Sequence, residues 1–369
     1  MTVSSSETSL STFFLPGPTY VRPEVLAAMT HPMISHRATG FEELYERLQG
    51  GLRAIFRTSR PVYVSSSSAT GLMEAAVRAA PAGPLLCLVG GAFGERFHKL
   101  ATRCERESDV HQVPLGAPFD LNAVEAALRA RRYSAVTVVH SESSTGVLTD
   151  VREIAALARA HGAMTIVDCV TSAGAGLVDA DGWGVDFALT GSQKAMALPP
   201  GLAFGVASEA FAQAARGARS RGMYLDLVEF EEFHAKRQTP NTPALPLLFA
   251  LDAQLDHIAQ EGLETRFARH AAMLERTVAW AEACGARLPG MGILAPAGAR
   301  SLTVSSVTLP AGVDGKQIVK AVGARGYTIG GGYGPLASRC VRIGHMGDHT
   351  LEGLERCLAV CEAAIGEAV

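Results

Sequence analysis

The chain has 369 residues, 48% hydrophobic and 19% charged, with 38 glycines and a formal net charge of −3. That balance excludes the basic footprint of a nucleic-acid binder and matches a soluble α/β globule acting on small molecules. The length exceeds one simple core and fits a large domain with a smaller one. No apolar run approaches the roughly 20 residues a membrane span needs. Seven cysteines at scattered positions form neither a disulfide framework nor a metal cluster, so a reducing, cytoplasmic setting is expected.

The first twelve residues are rich in Ser and Thr and lack the basic and apolar regions of a signal peptide, so they read as a flexible tail. Phe13 to Thr19 is punctuated by Pro16, Gly17 and Pro18 and cannot form a regular helix. Phe41, Leu44, Tyr45, Leu48, Leu52, Ile55 and Phe56 recur at helical spacing. Strands and helices then alternate. Val62–Val64 leads into a helix near Thr70–Ala80, and Leu85–Val89 into one near Phe93–Arg106. Ala135–Val139 precedes a helix at Val151–His161, with Asp150 as N-cap and Gly162 as C-terminal stop. Further apolar strands are expected at Met164–Val167 and Asp186–Leu189. Such continuous apolar runs imply burial on both faces of a mostly parallel sheet. Thr239-Pro240-Asn241-Thr242-Pro243 and the helical pattern from Leu247 to Ile258 mark the exit from the large domain. Beyond lie strands near Leu302–Leu309 and Cys340–Ile343 and a closing helix from about Leu351. The expected division is an arm at 1–20, a large domain at 21–250 and a small α+β domain at 251–369.

Three features converge on one edge of that sheet, because open sheets place ligands at the carboxyl ends of their strands. Ser65 to Gly71 joins a buried strand to a helix, where N–H groups and hydroxyls face a phosphate; elsewhere such a serine run is more often a linker. Asp168 ends one strand and Lys194 follows another. Alone they would read as a turn residue and a solvated lysine. Together, among small and apolar neighbours, they suit pyridoxal 5'-phosphate (PLP): the amine forms a Schiff base and the carboxylate keeps the pyridine nitrogen protonated. Arg342, in an apolar strand, offers two parallel donors to a substrate carboxylate, with a structural salt bridge as its alternative. No metal-ligand set accompanies His140 and Glu142.

Gly191-Ser192-Gln193-Lys194 with Pro199-Pro200-Gly201, His140 to Gly146, Asp168-Cys169-Val170 and Arg342 to Gly347 resemble the class V aminotransferases. Within them the chain is most similar to the alanine–glyoxylate and serine–glyoxylate (serine–pyruvate) group, from Pro16 to the final helix. The resemblance implies the fold type I architecture of PLP-dependent transferases. It makes Lys194 the Schiff-base lysine, Asp168 the pyridinium partner, and Ser68, Ala69 and Thr70 the phosphate cup, with Gln193 another phosphate ligand. Ser143 matches the residue at the ring hydroxyl, Val170 the one packing on a ring face, and Phe93 the stacking aromatic. Thr242 matches a phosphate contact given by the partner subunit of a homodimer; alone it reads equally as a turn hydroxyl. His36-Arg37 belongs to the shared pattern, bordering the substrate channel or forming an ion pair. The implied activity is ping-pong transfer of an amino group from alanine or serine to glyoxylate or pyruvate. Alternatives are a class V enzyme on ureidoglycine or an aminophosphonate, a lyase, or a PLP-binding protein without turnover. A cysteine desulfurase would need a reactive cysteine on a mobile loop, and Cys340 lacks that setting.

Overall fold

The computed structural model describes residues 12–369; most of the expected flexible tail lies outside them. Fourteen strands form in chain order among these residues. They are β1 (Phe13–Phe14), β2 (Val62–Ser65), β3 (Leu85–Val89), β4 (Ser108–Gln112), β5 (Ala135–Val139), β6 (Ser141–Glu142) and β7 (Val147–Leu148). After them come β8 (Met164–Asp168), β9 (Phe187–Gly191), β10 (Ala203–Ala207), β11 (Gly292–Ile293), β12 (Val304–Thr308), β13 (Thr328–Gly331) and β14 (Cys340–Gly344).

The large sheet runs β2-β10-β9-β8-β5-β3-β4, with only β10 antiparallel to its neighbours. Its central strands are buried along their whole length and feed two cores. Val136, Val138, Val167 and Phe204 point into one, under helices Thr39–Phe56, Val151–Ala160 and Leu245–Glu261. Leu85, Cys87, Ala135, Ile166 and Phe187 point into the other, under helices Ala69–Ala79 and Ala92–Arg103. This is the two-faced burial that continuous apolar strands demand. The Asp150 side chain caps its helix by accepting from the Glu153 N–H at 3.2 Å, and Gly162 follows with φ +73°.

Two strands of the large sheet went unread in the sequence, as did the short β1, β6, β7, β11 and β13. β4 is a half-exposed edge of mixed polarity, and β10, Ala203-Phe204-Gly205-Val206-Ala207, is a short buried run interrupted by Gly205. The small sheet, β1-β13-β14-β12-β11, packs against helices Leu263–Gly285 and Leu351–Gly366. The arm belongs to this sheet: Phe13 and Phe14 pair parallel with Thr328 and Ile329. The expected division at 250/251 cuts through helix Leu245–Glu261, whose Leu248, Leu251, Leu255 and Ile258 are buried in the large sheet's core.

Candidate active site

β2, β3, β5, β8 and β9 point the same way, so the segments following them share one edge. Asp168 closes β8 and is 3% exposed. Its Oδ1 accepts from the Val170 N–H at 2.8 Å; Oδ2 makes no hydrogen bond with any described residue. Burial pushes its pKa up to about 6 against that N–H, with Glu142 adding to the rise and Lys194 and Arg96 opposing it.

Lys194 sits in the turn after β9, 9% exposed. The arm crosses directly over it, and Nζ donates to the Pro16 carbonyl. Gly17 has φ +97°, and a Cβ there would collide with the lysine side chain. Glycine is therefore required twice over, by the backbone and by the close approach. Nζ lies 5.8 Å from the centroid of the Phe93 ring. Burial lowers the amine's pKa to about 8; the Arg342 charge helps and Asp168 opposes.

Phe93 opens helix Ala92–Arg103, and two residues that the sequence reading did not assign fix it. The buried Glu142 carboxylate accepts from the Phe93 and Gly94 N–H groups at 3.0 and 3.2 Å and from the Ser144 N–H at 3.1 Å. It thereby ties the helix start to the turn holding Ser143. These bonds occupy the carboxylate, and His140 Nδ1 lies 2.9 Å from the Ser172 hydroxyl. Arg96, one turn beyond Phe93, places its guanidinium 4.7 Å from that ring's centroid and donates to the Thr70 hydroxyl at 2.9 Å. Its i,i+3 spacing from Phe93 was the signal available in the sequence.

Helix Ala69–Ala79 starts at Ser68, which is extended, exposed and gives no side-chain cap. Its first N–H groups stay free for an anion, with the dipole behind them. Across from it, a Cβ on Gly191 would lie 3.0 Å from Gln193 Oε1 and 3.2 Å from the Ala69 Cβ. Gln193 and the serine turn therefore border one hollow. Thr242 stands apart: it is exposed, and its one described hydrogen bond goes to His36 Nε2 at 3.5 Å. Arg37 pairs with no acid among the described residues; it donates to the Thr239 and Pro240 carbonyls at 2.8 and 3.2 Å and so holds that turn.

Arg342, half-buried on β14, donates to the Gly331 carbonyl at 2.7 Å and the Ser143 carbonyl at 3.0 Å. No described carboxylate pairs with it, so the structural salt bridge weighed from sequence is absent. Desolvation lowers its pKa, which Tyr333 and Glu142 oppose. The cluster fits PLP on the structure's own terms. It combines an uncapped helix start beside Arg96, which meets no carboxylate among the described residues, a buried carboxylate with one oxygen free among them, a ring near a buried amine, and the Arg342 cation beyond.

A family model described as Aminotransferase class-V matches residues 97–345. An uncharacterized aminotransferase of Methanocaldococcus jannaschii is 35% identical over 360 residues, 96% of this chain and 92% of that one. A serine–glyoxylate aminotransferase of Methylorubrum extorquens is 33% identical over 353 residues, 91% of this chain and 86% of its own. The crystal structure of alanine–glyoxylate aminotransferase from Nostoc sp. superposes with a TM-score of 0.90 at 29% identity, covering 99% of this chain and 97% of that one. With the shared two-sheet fold and the lysine and aspartate at one sheet edge, these matches establish that the chain belongs to the class-V aminotransferases, a family of PLP-dependent transaminases.

Proposed function

We propose that this chain moves an amino group from a small amino acid, alanine or serine, to glyoxylate or pyruvate, working as a homodimer that holds PLP at Lys194. The observation that carries the reading is the unpaired, half-buried Arg342 beside a lysine whose pKa its charge helps to depress. A cation without a carboxylate partner, facing a reactive amine, is what an α-amino or α-keto acid requires.

When bound, PLP supplies the electron sink that lets the amino acid's Cα release a proton. Lys194 would anchor the cofactor and, once free of it, would be the side chain placed to carry that proton; in the cofactor-free chain burial lowers its pKa to about 8, which favours the neutral amine. Asp168 would keep the pyridine nitrogen protonated, Phe93 and Val170 would lie against the ring, and Ser143 would meet the ring hydroxyl. Ser68, Ala69, Thr70 and Gln193 would bind the phosphate, joined by Thr242 of a second copy of the chain, and Arg342 would fix the substrate carboxylate. The arm at Pro16–Gly17, crowded against Lys194, supports a donor with a small side chain.

The Methylorubrum extorquens relative is a serine–glyoxylate aminotransferase and the Nostoc neighbour an alanine–glyoxylate aminotransferase, which supports this pairing. The test is a panel of alanine, serine, aspartate and a simple primary amine against glyoxylate and pyruvate. Alanine or serine with glyoxylate should give the highest kcat/KM. Turnover of the primary amine at a comparable rate would remove the carboxylate clamp from the reading.

A further inference from the structure

Arg266 is the largest side chain the fold encloses completely, only 1% exposed, on helix Leu263–Gly285 beside the small sheet. An arginine so buried is costly unless each donor finds an acceptor. Here Nε donates to the Gly174 carbonyl at 2.8 Å and Nη2 to the Ala195 carbonyl at 3.0 Å. Nη1 reaches Asp348 Oδ1 at 2.7 Å and Glu261 Oε2 at 2.8 Å. Asp348, on the loop that leaves β14 after Arg342, is held in turn by Arg22 at 2.8 Å and Gln254 at 3.1 Å. The two carbonyls are not arbitrary. Ala195 is bonded to Lys194, and Gly174 lies in the turn that leaves Asp168.

We infer that Arg266 is a positioning residue: its planar guanidinium sets the spacing between the Lys194 segment and the Asp168 segment, and Asp348 holds the guanidinium in place. The inference rests on the roles proposed above for Lys194 and Asp168. A lysine's three donors radiate from one nitrogen, so an ammonium cannot meet these four acceptors where the three guanidinium nitrogens of a rigid fork reach them. A sub-ångström shift of either segment changes the angle at which the lysine meets a Cα proton, and misplacements of about 1 Å cost on the order of 100-fold in rate. Arg266 makes no hydrogen bond to Arg342 or to the arm, so KM is expected to change far less than kcat.

The experiment compares wild type, Arg266→Lys, Arg266→Met and the pair Arg266→Met/Asp348→Asn as PLP-loaded enzymes. Melting temperature, kcat and KM for alanine with glyoxylate, and the rate at which the PLP-free chain takes up PLP are read for each. Arg266→Met alone should lower the melting temperature, because Asp348 loses its closest partner. The pair should recover most of it yet keep kcat down about 10- to 100-fold, with KM within roughly threefold and slower PLP uptake. Arg266→Lys should fold and share the loss in kcat. Recovery of kcat along with melting temperature in the pair, or full activity in Arg266→Lys, would reduce Arg266 to packing and overturn the inference. A wild type without a Lys194-dependent visible band on adding PLP would overturn the site reading and this inference together; a normal band with unaffected variants overturns the inference alone.

Discussion

Lys194 and Asp168 are shifted in opposite senses by the same cause, burial, and the signs have consequences. The folded chain holds Lys194 at a pKa of about 8, below the ordinary 10.5. Between those values the unfolded chain binds more protons, so this group's contribution to stability improves as pH rises from 8 to 10.5. Asp168 is raised from 3.8 to about 6, so there the folded chain binds more protons, and stability falls as pH rises through that window. Between about pH 6 and 8 the PLP-free chain carries both burdens, and a cofactor that takes up the amine and pairs the carboxylate relieves both. The measurable outcome is the reactivity of Lys194 without PLP. Labelling by an amine-directed reagent, mapped to this residue, should have its midpoint near pH 8. Arg342→Gln should move that midpoint upward, since the Arg342 charge is the largest depressing influence after burial. A midpoint near that of exposed lysines in both proteins would contradict the buried placement.

At the scale of elements, the sequence was legible where a pattern had one cause. The strands ending at Val89, Val139, Asp168 and Gly191 are continuous apolar runs, and only a sheet covered on both faces uses such runs. β4 and β10 gave no comparable signal, the first because an edge strand keeps one side wet, the second because Gly205 interrupts its five-residue run. The arm was read as irregular, which was right for Pro16–Pro18. Its pairing with β13, more than 300 residues away, had no local sign. That pairing brings Gly17 over Lys194. Gly17→Ala should therefore lose at least roughly tenfold in kcat/KM, because the new methyl displaces the lysine or lifts the arm. Gly162→Ala is the control, with φ +73° but nothing within 4 Å of a Cβ. It should cost about 1–2 kcal/mol of stability with little change in activity. Equal activity losses in the two variants would mean that backbone strain, not the contact with Lys194, explains the first.

At the scale of the whole molecule, long-range placement separates the readable residues from the unreadable ones. Asp168 and Lys194 are each tied to a strand end nearby in sequence. Arg266, by contrast, lies on a helix where any arginine reads as a solvated face, and only the tertiary fold buries it. Thr242 belongs to the same problem one level up. Among the described residues its hydroxyl's one hydrogen bond goes to His36, and Tyr224, which lines the same shallow hollow as Thr242, is 53% exposed, with its sequence neighbour Met223 86% exposed, apolar surface that a second copy would cover. On the proposed dimer, light scattering should give twice the 38.7 kDa chain mass. Thr242→Val should keep the dimer while weakening PLP retention roughly 10- to 100-fold, the loss of one hydrogen bond to a charged group. Mixing subunits then identifies the chain from which the hydroxyl comes. A hybrid of Lys194→Ala and Thr242→Val chains holds one site with Lys194 from the second and Thr242 from the first. If Thr242 serves the partner's phosphate, that hybrid site binds PLP as tightly as wild type and turns over at close to the full rate per intact site. If the hydroxyl serves its own chain, every lysine-bearing site in the mixture lacks it, and the hybrid retains PLP no better than the Thr242→Val homodimer.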